Sequence, residues 1–255
     1  MTLISGFLRY TGELTLLLLE TLRWLFVPST WRARRILMQF SNIGWGSVLV
    51  VATISFTIGI AISFQIAYQL QRLGLGTPIY TASFSALMIF REIGPVLTAL
   101  IVAGRVGASI TAEVGMMNIT QQVDALQTLA TPPVKYLVVP RFLALIIGLP
   151  LLTLYANVIG VLGGYVVGAT QLDMGSPFYF EMSASLLSAR DLWTGLLKAF
   201  VFAVIICIVS CLEGFNTRGG AEGVGKATMR SVVVSFLLII AADAVFTTLF
   251  YFLRQ

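Results

Sequence analysis

Four charged side chains lie inside segments that are otherwise apolar: Arg91, Glu92, Lys198 and Asp243. Arg91 and Glu92 are adjacent in MIFREIGPVLTAL, residues 88–100, with apolar runs on both sides. A charge at the centre of a bilayer costs roughly 2.5 to 3.5 kcal/mol on insertion scales, so intramembrane charges usually pair or line a functional path. These two positive and two negative groups would neutralise one another if they met.

The depths of the four charges in their segments overlap. At 1.5 Å per residue, Glu92 lies ~20 Å, Asp243 ~15 Å and Lys198 ~9 Å from the outer end of its segment, and the lysine side chain extends further. We therefore expect one buried charge network that joins three membrane spans. Two interpretations stay open: a static brace, or a set of ion pairs that re-forms when the protein changes conformation.

Composition places these charges in a membrane protein. The 255 residues are 58% hydrophobic and only 11% charged, with a mean hydropathy of +0.93, whereas soluble domains are about 25% charged. The sequence has no histidine, which excludes Ser/His/Asp triads and histidine metal sites. Cys207 and Cys211 are four residues apart in an apolar run, where we expect buried thiols rather than a disulfide.

Five segments are long and apolar enough to cross a bilayer. They cover residues 45–68, 79–104, 142–169, 192–212 and 231–253. With the N-terminus inside, eleven Lys and Arg residues fall on the inner side against four on or near the outer side, so the positive-inside rule predicts N-in and C-out. The fold class is thus an all-α polytopic membrane protein, with an N-terminal interfacial helix ahead of its five transmembrane helices.

The first 43 residues have a different pattern. Leucines recur at helical spacing among charged residues over residues 3–27, which predicts a helix lying in the membrane surface and ended by Pro28. The following WRARR, residues 31–35, is suited to anionic head groups. We therefore divide the chain into an interfacial and basic region, 1–43, and a transmembrane domain, 44–255.

The connection after span two predicts a short amphipathic helix over residues 118–130. Ile119, Val123 and Leu126 form its apolar stripe, Asn118 is placed to cap its start, and two prolines end it. The helix would lie at the cytoplasmic surface between two spans. It is either a passive interfacial helix or a lever that docks a cytoplasmic partner.

Two glycine patterns have a structural and a functional interpretation. GGAEGVGKAT, residues 219–228, has the spacing of a phosphate-binding loop, but it lacks a preceding strand and a nucleotide domain, so we expect a compact turn at the membrane surface. Gly160, Gly164 and Gly168 are spaced by four in span three, which allows close helix approach. That approach is either packing within the chain or a dimer seam.

Several ordered motifs resemble the MlaE/YrbE permease family. They are REIGPVLTALIVAGRVGASITAEVGMMNITQQVDAL from Arg91 to Leu126, YLVVPR ending at Arg141, GVGKAT ahead of span five, and Asp243 within it. YQLQ, residues 68–71, resembles cyanobacterial and plastid members. The resemblance implies a non-catalytic membrane subunit of an ABC transporter, with a separate ATPase that binds ATP and Mg²⁺. It also implies a homodimer, an MCE-domain lipid-binding partner, and no nucleic acid.

The resemblance also assigns roles to residues. The walls of a lipid cavity would include Phe64 and Tyr68 together with the charge network, which would gate the cavity or meet the lipid head group. Contacts to the ATPase would come from the connection after span two: Glu113, Met116, Met117, Gln121 and Asp124. Neither a catalytic nor a metal-binding residue is implied in this chain.

The function implied is transport of phospholipid or another diacyl glycerolipid between the inner membrane and the MCE partner, for outer-membrane lipid homeostasis. The expected location is the bacterial inner membrane, or the plastid inner envelope for a eukaryotic source. An ion channel or other pore without an ATPase is the alternative, because intramembrane charges can also line a pore. The two differ in that only a permease subunit should co-purify with an ATPase.

Overall fold

The computed structural model describes residues 2–27, 33–74 and 78–252, and every regular element in these ranges is a helix. Three short π-helical segments, Ile89–Ile93, Ala103–Gly107 and Val134–Val138, interrupt the α-helices. The α-helices are α1 Thr2–Leu25, α2 Ala33–Arg72, α3 Pro78–Met88, α4 Gly94–Val102, α5 Ala108–Ile119, α6 Gln122–Thr128, α7 Val139–Gln171, α8 Ser176–Ser185, α9 Ala189–Phe215 and α10 Gly220–Phe252.

Five helical stretches within the described ranges are long and apolar enough to cross a membrane, which confirms the number of spans. They run over Ile36–Arg72, Tyr80–Ile119, Val134–Gln171, Ala189–Phe215 and Gly220–Phe252. The chain is therefore a multi-pass membrane protein. Each helix is longer than its predicted apolar segment, because hydropathy marks the apolar part of a helix and not its polar ends. The N-in, C-out orientation stays a prediction.

The N-terminal helix is confirmed as a helix, since α1 covers Thr2–Leu25. Leu16 and Leu19 are 68% and 57% exposed, while Leu17 and Thr21 are buried against the protein. Such exposed leucines are typical of a helix that lies at a membrane surface. Pro28 and the start of the basic segment 31–35 lie outside the described residues.

The chain forms two compact units, each assembled from separated parts of the sequence. The first comprises residues 1–44, 102–148 and 201–255, and the second residues 45–101 and 149–200. Residues 1–43 are thus grouped with later segments in one unit. Whether they form a domain of their own, separate from 44–255, stays a prediction.

In the first unit, α5 packs against α9 and α10 through small and polar side chains. Thr111 Oγ1 lies 3.0 Å from the Ser210 carbonyl oxygen and 2.9 Å from Ser231 Oγ. A Cβ on Gly107 would lie 2.9 Å from Ser210 Oγ, so the glycine allows this close approach. Small residues and buried hydroxyls hold membrane helices together because lipid supplies no hydrophobic drive between them.

In the second unit, α2 and α7 approach each other through facing glycines. A Cβ on Gly59 would collide with the Gly160 carbonyl oxygen, and one on Gly164 would lie 2.6 Å from the Tyr179 hydroxyl. A Cβ on Gly168 would lie 2.7 Å from the Tyr179 ring. The spaced glycines of span three therefore serve packing within the chain, which was one of the two interpretations.

The short helix α8, between spans three and four, was not predicted from the sequence. Its Tyr179 is buried with Ala82 and Met174, and the Met182 carbonyl accepts a 2.7 Å hydrogen bond from Ser83 Oγ. The segment SPFYFEMSAS has too few residues for a clear apolar period. Tertiary packing of one large aromatic residue therefore fixes this helix.

Two predictions about the connections are wrong. Asn118 does not cap a helix over residues 118–130: it lies inside α5, and its Nδ2 donates to the Phe215 and Thr217 carbonyl oxygens at 2.9 and 3.1 Å. The following helix is only α6, Gln122–Thr128. GGAEGVGKAT is not a compact turn, because α10 begins at Gly220 and includes most of it.

Candidate functional site

Arg91 and Glu92 lie in a widened turn of span two, the π-helical segment Ile89–Ile93. Gly94 N–H bonds to the Ile89 carbonyl five residues back, and Pro95 follows. A proline has no N–H and its ring crowds the carbonyl four residues earlier, so a wider turn just before it relieves the helix. Single π turns are frequent at functional sites, where they redirect side chains.

Glu92 pairs with Lys198 of α9. Lys198 Nζ lies 2.6 Å from Glu92 Oε2, and the lysine side chain is 1% exposed against 34% for the glutamate. One turn earlier on α9, Gly195 brings the helix against the Phe90 carbonyl, where a Cβ would lie 2.5 Å away. Close backbone approach therefore places a buried ammonium beside the widened turn.

Arg91 pairs with Asp191, a residue that sequence reasoning missed. Arg91 Nε lies 3.5 Å from Asp191 Oδ1. Asp191 also belongs to the capping box of α9: its Oδ2 accepts from Ser188 N–H at 3.0 Å and from Ser188 Oγ at 2.7 Å. The pattern Ser-x-x-Asp ahead of an apolar run is a local signal for such a cap and could have identified Asp191.

The second unit thus brings together three of the four predicted network residues, in two ion pairs completed by Asp191. Asp243, the fourth, lies on α10 in the first unit and is half-buried. A single network that includes Asp243 stays a prediction. In these two pairs Glu92 and Asp191 each face a cation, which lowers the cost of keeping these charges away from water.

Arg91 and Glu92 also line a largely apolar cavity of about 590 Å³ in the second unit. The cavity lies between α2 and residues 84–92 of span two, so its charges are confined to one side of an apolar wall. The other lining residues are Gln65, Ile66, Gln69, Leu70, Phe84, Leu87 and Met88.

Phe64 and Tyr68 are on the same helix as the cavity wall but on its outward side. Their exposed fractions are 46% and 54%, and the Arg72 guanidinium lies over the Tyr68 ring, 5.3 Å from its centroid. Neither residue is among those that line the cavity. That Phe64 and Tyr68 line a lipid cavity stays a prediction. On α2, the residues that line the cavity described above are their sequence neighbours in the range 65–70.

The predicted ATPase-contact residues cluster where α5 ends and α6 begins. Gln121 joins the two helices with a left-handed backbone, φ 59°, and its side chain is exposed. Met116 and Asp124 are also exposed, whereas Met117 is half-buried. The sharp bend, and not one continuous helix, presents these side chains together.

Glu113 is engaged within the chain. Its Oε2 accepts a 2.9 Å hydrogen bond from Arg141 Nη2, and Arg141 Nη1 donates to the Leu137 carbonyl at 2.8 Å. Arg141 is 6% exposed, so this pair is anchored in the protein. The contact ties the end of span two to the start of span three, on either side of α6.

The sequence of the chain is similar to those of known membrane permeases. Residues 36–249 match the family model described as Permease MlaE. A probable ABC transporter permease of Rickettsia prowazekii is 45% identical over 85% of this chain and 83% of its own length. The chloroplastic protein trigalactosyldiacylglycerol 1 of Arabidopsis thaliana is 34% identical, over 86% of this chain and 62% of its own length.

A third relative is the intermembrane phospholipid transport system permease protein MlaE of Haemophilus influenzae, 33% identical over 84% of this chain and 81% of its own length. The predicted family is confirmed, and its relatives include a chloroplast protein, although the Rickettsia protein has the higher identity. The family therefore favours a permease subunit over the alternative interpretation, a channel that works without an ATPase.

Proposed function

The chain belongs to the MlaE permease family of ABC transporters, and we propose that it moves a diacyl glycerolipid across or out of the membrane. It is a non-catalytic subunit related to lipid transport, and its family implies a partner ATPase. In the proposal, two copies of the chain form the pathway, and an MCE-domain protein exchanges lipid with them on the outer side. ATP and Mg²⁺ bind to the ATPase chain.

The observation that carries the proposed substrate is the cavity beside Arg91 and Glu92. Its walls are mainly apolar, and two charged groups lie at one side. This distribution matches an amphiphile: acyl chains contact the apolar wall, and the phosphate or hydroxyl groups of the head contact the charged side. At about 590 Å³ the cavity is within the usual range for ligand sites.

The proposed role of the ion pairs is to couple the cavity to α9. Arg91 and Glu92 belong to the cavity wall, and their partners Asp191 and Lys198 both belong to α9. A shift of α9 against span two would separate the pairs and free Arg91 for a lipid phosphate. Asp243 would join this exchange in the assembled transporter, as the sequence predicts.

The proposed ATPase contact is the bend between α5 and α6. Its exposed residues Met116, Gln121 and Asp124 offer one apolar and two polar contacts. Because Glu113 is bonded to the buried Arg141, force applied at the bend would reach the ends of spans two and three. The proposed location is the bacterial inner membrane, or the plastid inner envelope for a eukaryotic source.

Transport of a fluorescent phospholipid from proteoliposomes to a purified MCE-domain acceptor tests the proposal. ATP should raise the transfer rate when the ATPase is present, and Leu87→Trp should lower it several-fold by filling the cavity. Leu151→Trp, at a 51% exposed position of α7 outside the cavity lining, is the matched control. ATP-independent transfer, or equal rates for the two variants, would contradict the proposal.

A further inference from the structure

A second cavity, of about 520 Å³, lies in the first unit, where α1, the end of α9 and the start of α10 meet. Unlike the cavity of the second unit, its lining is mainly polar and charged. Four basic residues line it, Arg9, Arg218, Lys226 and Arg230, with two acidic residues, Glu13 and Glu213. The lining therefore has an excess of two positive charges.

Both carboxylates of this cavity are already engaged. Glu213 is buried, and its Oε1 accepts from the Tyr10 hydroxyl at 2.8 Å and lies 3.4 Å from Arg230 Nε. Burial, followed by the hydrogen bond to Glu213, raises the pKa of Tyr10, so this hydroxyl stays protonated and keeps donating to the carboxylate. Glu13 accepts from Arg9 Nε at 2.9 Å.

Two basic residues are left to attract an anion. The ion pair of Lys226 among the described residues is with Glu222, at 2.7 Å, and both side chains are more than three-quarters exposed. Such a pair contributes little, so it does not prevent Lys226 from binding another anion. Arg218 is exposed at the connection between α9 and α10, on the lining of the same cavity.

An apolar groove of about 160 Å³ is formed by the same three helices. On α1 it begins at Leu14, the residue after Glu13 of the charged cavity. On α9 it ends at Val209, one turn before Glu213, and on α10 it includes Leu238, two turns beyond Arg230. The remaining lining residues are Thr15, Leu18, Val204, Ile205 and Ile208. The cavity and the groove thus follow one another along all three helices.

We propose that the charged cavity and the apolar groove together bind one anionic phospholipid, with its phosphate in the cavity and an acyl chain in the groove. The excess positive charge complements the phosphate, and clusters of Lys and Arg at a membrane surface attract anionic lipids. The exposed Leu16 and Leu19 of α1 place this helix at the lipid boundary. The occupant is a resident lipid that fastens α1 to α9 and α10, and it is bound by residues other than those of the proposed transport cavity.

Photo-crosslinking with an anionic and a zwitterionic phospholipid of the same acyl chains tests this site. The full chain is reconstituted in nanodiscs with phosphatidic acid or phosphatidylcholine, each carrying a diazirine in one acyl chain, and labelled peptides are mapped. Phosphatidic acid should label the groove segments 14–18 and 204–209 roughly thirtyfold more than phosphatidylcholine, because each of the two near-surface basic residues contributes a factor of about five. Labelling of exposed apolar positions elsewhere should be equal for the two lipids.

The decisive variant is Arg218→Gln combined with Lys226→Gln, which removes the excess charge and spares the contacts of Glu213. It should abolish the preference for phosphatidic acid at the groove. The control is Arg23→Gln with Arg190→Gln, two exposed basic residues outside the cavity lining, which should keep the preference. Equal melting temperatures of the variants would show that folding is unchanged.

Three results would overturn the proposal. The first is equal groove labelling by both lipids in the parent protein, which would show that the charged cavity does not select an anionic lipid. The second is a preference that survives in the Arg218 and Lys226 variant. The third is loss of groove labelling on addition of equimolar inorganic phosphate, which would indicate an anion site without a contribution from the groove.

Discussion

Arg91 Nε lies 3.5 Å from Asp191 Oδ1, and the other oxygen of that carboxylate caps α9 by accepting from Ser188. One buried carboxylate therefore both starts a membrane helix and neutralises a charge of the cavity wall. Loss of the cap and loss of the ion pair are separable, because Ser188 takes part only in the first.

Asp191→Asn should weaken the pairing of Arg91 and lower transport at least fivefold. Ser188→Ala should remove the cap alone, destabilise the protein by about 1 kcal/mol, and leave transport within about twofold. Thermal unfolding in detergent measures the loss of stability, and the proteoliposome assay measures the loss of transport. Equal loss of transport in the two variants would show that Asp191 acts only through the cap.

Glu92→Gln should be strongly destabilising, by about 3 to 5 kcal/mol, because it removes the carboxylate that Lys198 Nζ contacts in a fully buried position. Lys198→Met should cost less, since the remaining Glu92 is one-third exposed and lines the cavity of the second unit. The double variant should be more stable than Glu92→Gln alone. A double-mutant cycle by denaturant unfolding measures the coupling, and additive effects would refute the pair.

Gly59→Ala should lower the melting temperature, because its Cβ would collide with the Gly160 carbonyl and force α2 and α7 apart. The expected loss is about 1 to 3 kcal/mol, the range for overpacking. The control is Gly225→Ala, a helical glycine with open space around its Cβ position. That change should be neutral or stabilise by up to about 1 kcal/mol, because alanine is the better helix former.

Cysteines introduced at Met117 or Gln121 should cross-link to the partner ATPase, since both lie at the bend between α5 and α6. The native Cys207 and Cys211 are buried and will not compete for the reagent. Glu222→Cys, an exposed position near the start of α10, is the comparison. Cross-linking at position 222 alone would place the ATPase contact at the start of α10.

The sequence predicted the features that depend on local composition. The five spans follow from hydropathy, α1 from the period of its leucines, and the close helix approach at Gly160 and Gly164 from their spacing. The need to neutralise charges at similar depths predicted a network of four residues, of which the structure pairs Glu92 with Lys198. Each of these inferences needed only one physical requirement and a short window of sequence.

The features that were missed depend on contacts between distant residues. Asn118 has the residue type of a helix cap, but its amide finds acceptors at Phe215 and Thr217 and the helix continues past it. The partner of Arg91 is Asp191. The role of Asp191 in capping α9 could be predicted from the local sequence, but its contact with the distant Arg91 could not. The π turn at Ile89–Ile93 leaves no mark in hydropathy, although the Gly94-Pro95 pair follows it.

The π turn at Ile89–Ile93 has a consequence for how span two tolerates changes in length. A π turn holds one residue more than an α turn, so the helix on either side keeps the rotational phase it would have without that residue. Deletion of Ile93 should therefore allow a regular α-helix in which Ala86 and Ala99 keep their buried directions. The shortened chain, which still carries both Glu92 and Lys198, should therefore still insert. Span two thus keeps Arg91 and Glu92 in a turn whose length can change without rotating the helix on either side.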